Sequence, residues 1–449
     1  MELFSKGTLF RQQALLMAGD SLAGVLALAV TMPLLPTPDT ICCWRYLFIP
    51  LALIVSFLAG LYDAGAMSLT TLFARAVVAS ALLLVVLLPM ASLDAGALWP
   101  PLACTLAFAG LQIVWQALYR RARARGLFAK RVLVIGTGPK AKKIEQVIHN
   151  IPGSYQLAGY VATAGDPRQV AAEKIVGAID DVVVLVRRHR ADALVIALSE
   201  RRGNLAIEKL VACKLMGVRI EDYPSFFEAL TGKIPVEDIS PSWLVHSSGF
   251  SLTPFVRVVK RLIDIVLAGA LLSAIFPFLI PVALLVKLTS PGPVFYFQQR
   301  VGMHGRPFTI YKFRSMTVDA EKHTGATWAK ENDPRVTPFG AFMRKTRIDE
   351  LPQLFNVLKG DMSFIGPRPE RPEFVEQISK LTPYYQDRHA VKPGITGWAQ
   401  VMYPYGASFG DALEKLRYDL YYIKNLSFFL EILIVLETVK VVLLRKGGR

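Results

Sequence analysis

Four apolar stretches open the chain, running roughly Gln13 to Leu35, Trp44 to Leu61, Thr70 to Pro89 and Leu98 to Tyr119. Each approaches the roughly 20 residues that cross a bilayer, so together they predict a four-helix transmembrane bundle over residues 1–125. Lys6 and Arg11 precede the first stretch, as in a secretion signal, but no small-residue cleavage site follows and three more stretches do. That order predicts a retained helix. Arg120, Arg121, Arg123, Arg125, Lys130 and Arg131 follow the fourth stretch directly, which predicts that this end is cytoplasmic and, with an even number of spans, that the N-terminus is too. The loop around Pro36 to Cys43 has no Lys or Arg, as an outside loop should, whereas Arg45 and the Lys-free second loop fit less well. Asp20 and Arg75 fall within the spans, and pairing roles near the span ends are expected for both.

After Arg131 the pattern changes to short β-type runs alternating with helical ones: Val132 to Ile135, Gly159 to Val161, Ala193 to Ala197 and Val218 to Ile220. Such alternation predicts a small Rossmann-like α/β domain with a parallel sheet, here over residues 126–250. Gly136-Thr137-Gly138-Pro139-Lys140-Ala141 follows the first run and fits the glycine loop that brings a pyrophosphate to a helix N-terminus. Its second glycine is followed by proline, and no Tyr in the chain has a Lys four positions on. A membrane-anchored nucleotide-sugar dehydratase or epimerase therefore lacks its expected Tyr/Lys pair, and a structural or regulatory use of the loop is expected instead.

The next apolar run, Leu262 to Leu288, is long enough to span but holds Pro277 and Pro281 near its middle. Pro277 removes the hydrogen bond to the Ser273 carbonyl, which predicts a broken helix. Lys260 and Arg261 lie before the run, and Arg300, Arg306, Lys312 and Arg314 lie beyond it. Basic residues on both flanks predict a re-entrant helix that returns to the face it left, within a unit spanning residues 251–449. The last run, Leu426 to Leu444, contains Glu431, Glu437 and Lys440, and three charges predict an interfacial amphipathic helix instead of a span.

Composition agrees with this division. Of 449 residues, 53% are hydrophobic and 19% charged, with a mean hydropathy of +0.39, values that indicate a membrane protein with soluble parts. The net charge of +16 favours contact with anionic lipid or phosphorylated substrates. No zinc-finger spacing, basic heptad or RRM-type aromatic run points to nucleic acid. Cys42, Cys43, Cys104 and Cys213, and His304, His323 and His389, show no metal-ligand spacing.

The chemistry concentrates between Ser290 and Asn425. Arg347-Ile348-Asp349-Glu350-Leu351-Pro352-Gln353 sets two adjacent carboxylates before a helix running through Leu354 and Leu358 to a Lys359-Gly360 stop. Pro352 suits only the first turn of such a helix, so Asp349 and Glu350 fall at its N-terminus among unpaired N–H groups, where phosphate binds well. An Asp N-cap with a first-turn Glu has the same pattern. The surroundings add cations suited to a diphosphate: Lys312 and Arg314, expected on one face of a strand, then Arg335, Arg344, and Arg368 held between Pro367 and Pro369. Two mechanisms fit. Either Asp349 binds Mg²⁺ and attacks phosphorus while Glu350 handles protons, or both carboxylates only hold the metal. Neighbours on a helix point about 100° apart, which favours separate roles.

The strings SPGPVFYFQQRVG, KFRSM, DPRVTPFG, RIDELPQLFNVLKGDMSFIGPRPE, VKPGITGWAQV and YDLYYIKN, in that order between Ser290 and Asn425, resemble the bacterial sugar transferases. These are the polyprenyl-phosphate hexose-1-phosphate transferases, or monotopic phosphoglycosyl transferases. Four leading helices and an α/β domain are similar to the large subgroup of that family. The resemblance implies that Asp349 takes up a hexose 1-phosphate from a UDP-hexose, releasing UMP with Mg²⁺ at the diphosphate. Glu350 would assist proton transfer, and undecaprenyl phosphate would collect the sugar phosphate in a ping-pong sequence that initiates exopolysaccharide, capsule or O-antigen synthesis. It further implies a bacterial inner-membrane location with a cytoplasmic catalytic domain, a re-entrant helix broken near Ser273 and Pro277, an accessory α/β domain and a homodimer. Pro338 and Ala341 stand where the family often has arginines, and Phe276 stands where smaller members have serine. A non-catalytic scaffold for polysaccharide assembly is the reading from another class. The sequence does not distinguish glucose from galactose or an N-acetyl sugar.

Overall fold

The computed structural model describes residues 8–31, 33, 43–63, 67–94, 98–151, 153–199, 206–250, 253–318, 320, 333–403, 406 and 408–443. The expected outside loop at residues 36–42 and His323 lie outside them. The chain forms two compact units, Met1–Gly232 and Lys233–Arg449.

The first unit begins with helices α1 (Thr8–Thr31), α2 (Cys43–Leu58), α3 (Leu69–Asp94) and α4 (Trp99–Ala124). Of these, α1, α3 and α4 are long and apolar enough to cross a membrane, and the helix at Pro254–Thr289 in the second unit is the fourth of that kind. The second predicted span gives a shorter helix than expected. Gly60, at φ +76°, closes α2, so 16 residues reach only about 24 Å at 1.5 Å per residue. Asp20 is fully buried and accepts hydrogen bonds on Oδ2 from Gln112 Nε2 at 2.6 Å, Tyr62 Oη at 2.8 Å and Gln116 Nε2 at 3.0 Å. Arg75 donates to the Gly60 carbonyl and to Asp63 at 3.0 Å. Both polar residues thus tie helices together, the pairing role expected of them.

The α/β part follows as β1 (Lys130–Ile135), α5 (Pro139–Asn150), β2 (Tyr155–Ala162), β3 (Ile175–Ala178), α6 (Val182–His189), β4 (Ala193–Ile196), α7 (Ile207–Leu215), β5 (Arg219–Asp222) and α8 (Tyr223–Thr231). All strand pairs are parallel, in the order β3-β2-β1-β4-β5. Alternation along β1 divides the core. Val132 and Val134 face Ile144 of α5 and Phe226 of α8, while Leu133 and Ile135 face Leu185 of α6 and Leu210 of α7. Burial on both faces explains why β1 reads as an unbroken apolar run. The sequence pattern missed β3, whose four residues Ile175-Val176-Gly177-Ala178 are interrupted by a glycine.

The second unit contains α9 (Pro241–His246), α10 (Pro254–Thr289), β6 (Phe295–Val301), β7 (Pro307–Phe313), α11 (Pro338–Thr346), α12 (Gln353–Lys359), β8 (Ser363–Ile365), α13 (Pro372–Ser379), β9 (Gly394–Thr396), α14 (Trp398–Met402), α15 (Phe409–Lys424) and α16 (Phe428–Leu443). Pro277 and Pro281 lie inside α10 and do not end it, contrary to the predicted break at Ser273 and Pro277. A proline removes one backbone hydrogen bond, and a helix tolerates that loss while its other bonds persist. Ser273 lies on the exposed side of the helix.

One stripe of α10 packs on the unit along most of its length. Ala268 and Leu272 join Ile310, Leu354 and Val357, and Val286 joins Phe313 and Met343. The other face exposes Val266, Phe276, Phe278, Ile280, Leu284 and Leu288. Polar bonds fix both ends. Arg261 donates to the Val357 and Leu358 carbonyls at 2.6 and 2.7 Å, and Asp264 accepts from Ser363 Oγ and the Phe364 N–H at 2.9 Å each. At the far end Arg314 donates to the Ser290 carbonyl and hydroxyl, each at 2.7 Å. In α16, Glu431 is buried, pairs with Lys260 and accepts from Tyr422 Oη at 2.9 Å.

Candidate active site

Arg347, at φ +61°, ends α11 and turns the chain into a single 3₁₀ turn, Ile348–Glu350, that runs through Leu351 and Pro352 into α12. The expected helix is present to its Gly360 stop, at φ +99°. Two apolar clusters hold the turn from either side, Ile348 against Val286 and Phe313, and Leu354 against Ala268 and Ile310. The dyad backbone is thereby fixed between them.

Asp349 and Glu350 are both buried, and their environments differ. Glu350 Oε1 accepts from Lys312 Nζ at 2.9 Å and from Arg368 Nη2 at 2.5 Å, with a longer Arg368 Nη1 contact to Oε2 at 3.4 Å. Burial alone would raise its pKa, but the charges of Arg368 and Lys312 outweigh it and hold the carboxyl well below its ordinary value. Burial lowers Lys312 in turn, against the pull of Glu350. Asp349 receives no such hydrogen bonds, and its Oδ1 is buried without a partner. Burial, reinforced by the charge of Glu350, pushes Asp349 up to about 6, with Lys312, Arg344 and Arg347 opposing. Two neighbouring carboxylates thus have separated proton affinities, a pattern typical of functional pairs.

The five cations expected at a diphosphate divide into groups. Lys312 and Arg368 meet at Glu350. Arg344, in the last turn of α11, is near enough to lower the proton affinity of Asp349. Arg335 instead pairs with Asp333 through Nε to Oδ1 at 2.8 Å and Nη2 to Oδ2 at 2.6 Å. Arg314 does not share a strand face with Lys312, because β7 ends at Phe313; it binds the C-terminal end of α10, where carbonyls lack helical partners. Pro338 opens α11 behind the Thr337 cap, whose hydroxyl accepts from the Gly340 N–H at 3.0 Å.

Sequence reasoning missed the supports of the site. Arg388 donates to Asp419 Oδ2 at 2.8 Å and to the Arg368 carbonyl at 2.9 Å, and so fixes the backbone that presents Arg368. Asn356 accepts from the Tyr311 N–H at 3.0 Å and donates to the Thr309 carbonyl at 2.7 Å, tying α12 to β7 beside Lys312. These partners are 20 to 47 residues apart, so no local pattern joins them.

Among the described residues no three His, Cys, Asp or Glu side chains could hold a metal ion together. The unpartnered Oδ1 of Asp349 nevertheless fits one ligand to Mg²⁺, which commonly takes one or two carboxylates and completes its shell with substrate phosphates and water. Glu350 is already committed to cations.

In the first unit, the glycine loop holds a carboxylate from its own chain. Asp166 Oδ2 accepts the Thr137 and Gly138 N–H groups at 2.6 and 2.9 Å, and Oδ1 accepts the Ser199 N–H at 3.2 Å.

Apolar helices long enough to cross a membrane, together with a buried acidic pair flanked by cations at a helix start, define a membrane-associated protein equipped for phosphoryl chemistry. Residues 255–445 match the family described as bacterial sugar transferase. The chain is 44% identical over 263 residues to the Aeromonas hydrophila UDP-N-acetylgalactosamine-undecaprenyl-phosphate N-acetylgalactosaminephosphotransferase, covering 58% of this chain and 61% of that protein. It is 34% identical over 328 residues to the Xanthomonas campestris pv. campestris UDP-glucose:undecaprenyl-phosphate glucose-1-phosphate transferase, covering 71% and 68%. It is also 42% identical to the Rhizobium leguminosarum bv. phaseoli exopolysaccharide production protein PSS, covering 42% of this chain and 98% of that one. The chain belongs to the bacterial sugar transferase family.

Proposed function

We propose that this chain transfers a hexose 1-phosphate from a UDP-hexose to undecaprenyl phosphate, through a phosphosugar carried on Asp349. The observation that carries the reading is the unequal dyad: Glu350 is held ionised by Lys312 and Arg368, while Asp349 keeps an uncommitted carboxylate oxygen beside Arg344. In the first half-reaction an Asp349 oxygen forms a bond to the sugar-bearing phosphorus, the diphosphate P–O bond breaks, and UMP leaves with the bond electrons. In the second, an oxygen of undecaprenyl phosphate attacks the same phosphorus and Asp349 departs as a carboxylate. Mg²⁺, held at Asp349, would supply charge neutralisation at the diphosphate. The expected proton-handling role of Glu350 suits a group held ionised poorly. Its better role is to organise Lys312 and Arg368 toward the substrate phosphates.

The names of the relatives supply the donor and acceptor classes, and they differ in the sugar, N-acetylgalactosamine in one and glucose in another. The same reading includes a homodimer in the bacterial inner membrane, a cytoplasmic catalytic unit, and α10 as a re-entrant helix that turns back by bending at its internal prolines, Pro277 and Pro281, without ending there. The exposed apolar face of α10 and the bonds from both its ends to one unit support the last of these. A dehydratase reading finds its glycine loop already filled by Asp166. The test is UMP release by the purified full chain with undecaprenyl phosphate, Mg²⁺ and a panel of UDP-hexoses. Release that depends on one UDP-hexose and vanishes in Asp349→Asn is expected; unchanged release in that variant refutes the nucleophile assignment.

A further inference from the structure

We propose that Gln353 is a further catalytic residue, its side-chain amide donating to a phosphoryl oxygen of the group that Asp349 takes up. This rests on the transfer reading above. Gln353 is 2% exposed, and its Nε2 is buried with no hydrogen-bond partner. A buried N–H left unpaired loses its water without a replacement, so an orphan of this kind calls for an acceptor from outside the chain.

Its placement says which acceptor. Leu351 (φ −58°, ψ −34°) and Pro352 (φ −61°, ψ −15°) keep the backbone helical between Asp349 and Gln353. Residues four apart on such a turn lie on neighbouring positions of one face. The buried orphan acceptor on that turn is Asp349 Oδ1, yet the two orphans do not bond each other. Asn356, one turn further along α12, has both amide ends satisfied within the fold. A structural amide on this helix is therefore fully bonded, and Gln353 is not. A phosphoryl group attached to Asp349 brings acceptor oxygens to this position. Beside the cations Lys312 and Arg368, which Glu350 orients, a neutral amide supplies a donor whose strength does not vary with pH.

The test uses the full chain in lipid nanodiscs, in the UMP-release assay, with wild type and Asp349→Asn alongside. Gln353→Met keeps the shape and removes the donor, and Gln353→Glu keeps one oxygen and adds a charge. For Gln353→Met we expect kcat to fall about a hundredfold, the scale of losing one preorganised donor, with KM for the UDP-hexose changed by less than about threefold. Its Tm should equal or exceed that of wild type, because an unsatisfied buried donor has been removed. Gln353→Glu should lose at least as much kcat. Wild-type kcat in Gln353→Met overturns the proposal, as does a loss of kcat accompanied by a matching fall in Tm, which marks a structural amide. Absence of UMP release from wild type with every UDP-hexose removes the transfer reading itself, and this inference with it.

Discussion

Neighbouring carboxylates in one turn acquire different properties here because only one of them is met by fixed cations. Asp349 pays for its burial with a raised proton affinity, about 6 against an ordinary 3.8. A group whose pKa rises on folding stabilises the fold fully below its unfolded value, and that contribution is lost as pH rises through the folded value. Asp349→Asn should therefore raise Tm more at pH 8 than at pH 4 in metal-free buffer, with a ceiling of about 3 kcal/mol on the difference. Equal gains at both values would show that Asp349 is not destabilised by ionisation. For Glu350 the expected effect is opposite in kind. Lys312→Met leaves the buried anion with Arg368 alone, and removing one partner of a buried pair costs on the order of 3–5 kcal/mol. Chemical denaturation of the purified variant checks this, and a loss under about 1 kcal/mol, the range of exposed pairs, contradicts it. The adjacency of the two acids and the Pro352 helix start were legible in the sequence. Their unequal states were not, since these depend on Arg368 and Lys312 arriving from other elements.

At the scale of elements, helix ends decide where cations go. The last carbonyls of α10 need donors, and Arg314 meets that need instead of joining the dyad. Arg314→Ala should lower Tm by the equivalent of about 1–3 kcal/mol through the carbonyls it leaves unsatisfied. A Tm equal to wild type would show that water replaces the guanidinium without loss. In β1 and α5 the same logic works with opposite charge, because Asp166 supplies the anion that the glycine loop and helix start attract. Gly136 belongs to this geometry, since at φ +118° a side chain there would meet the Ala197 carbonyl at 2.9 Å. The motif was readable from spacing, and its occupant was not. Asp166 lies 28 residues beyond Gly138, in a segment with no distinctive pattern.

At the scale of the whole molecule, α10 is held to a single unit at both of its ends. A straight crossing would carry the two ends of α10 to opposite sides, yet Arg261 and Arg314 bind its opposite ends to the same unit. Single cysteines at Val258 and Lys287, introduced after replacing Cys42, Cys43, Cys104 and Cys213, should both react with an impermeant thiol reagent only from the cytoplasmic side of oriented vesicles. Labelling from opposite sides would exclude a re-entrant α10. Apolar runs of the right length, the change from membrane to α/β pattern, and the order of motifs around the dyad were all set by the sequence alone, because hydrophobic periodicity and backbone restrictions act locally. Tertiary structure decided which cations reach the dyad, that Arg314 and Arg335 serve other partners, and that Gln353 keeps a buried amide unpaired. Those outcomes depend on long-range hydrogen bonds and on desolvation, which exist only once residues distant in the chain have been brought together.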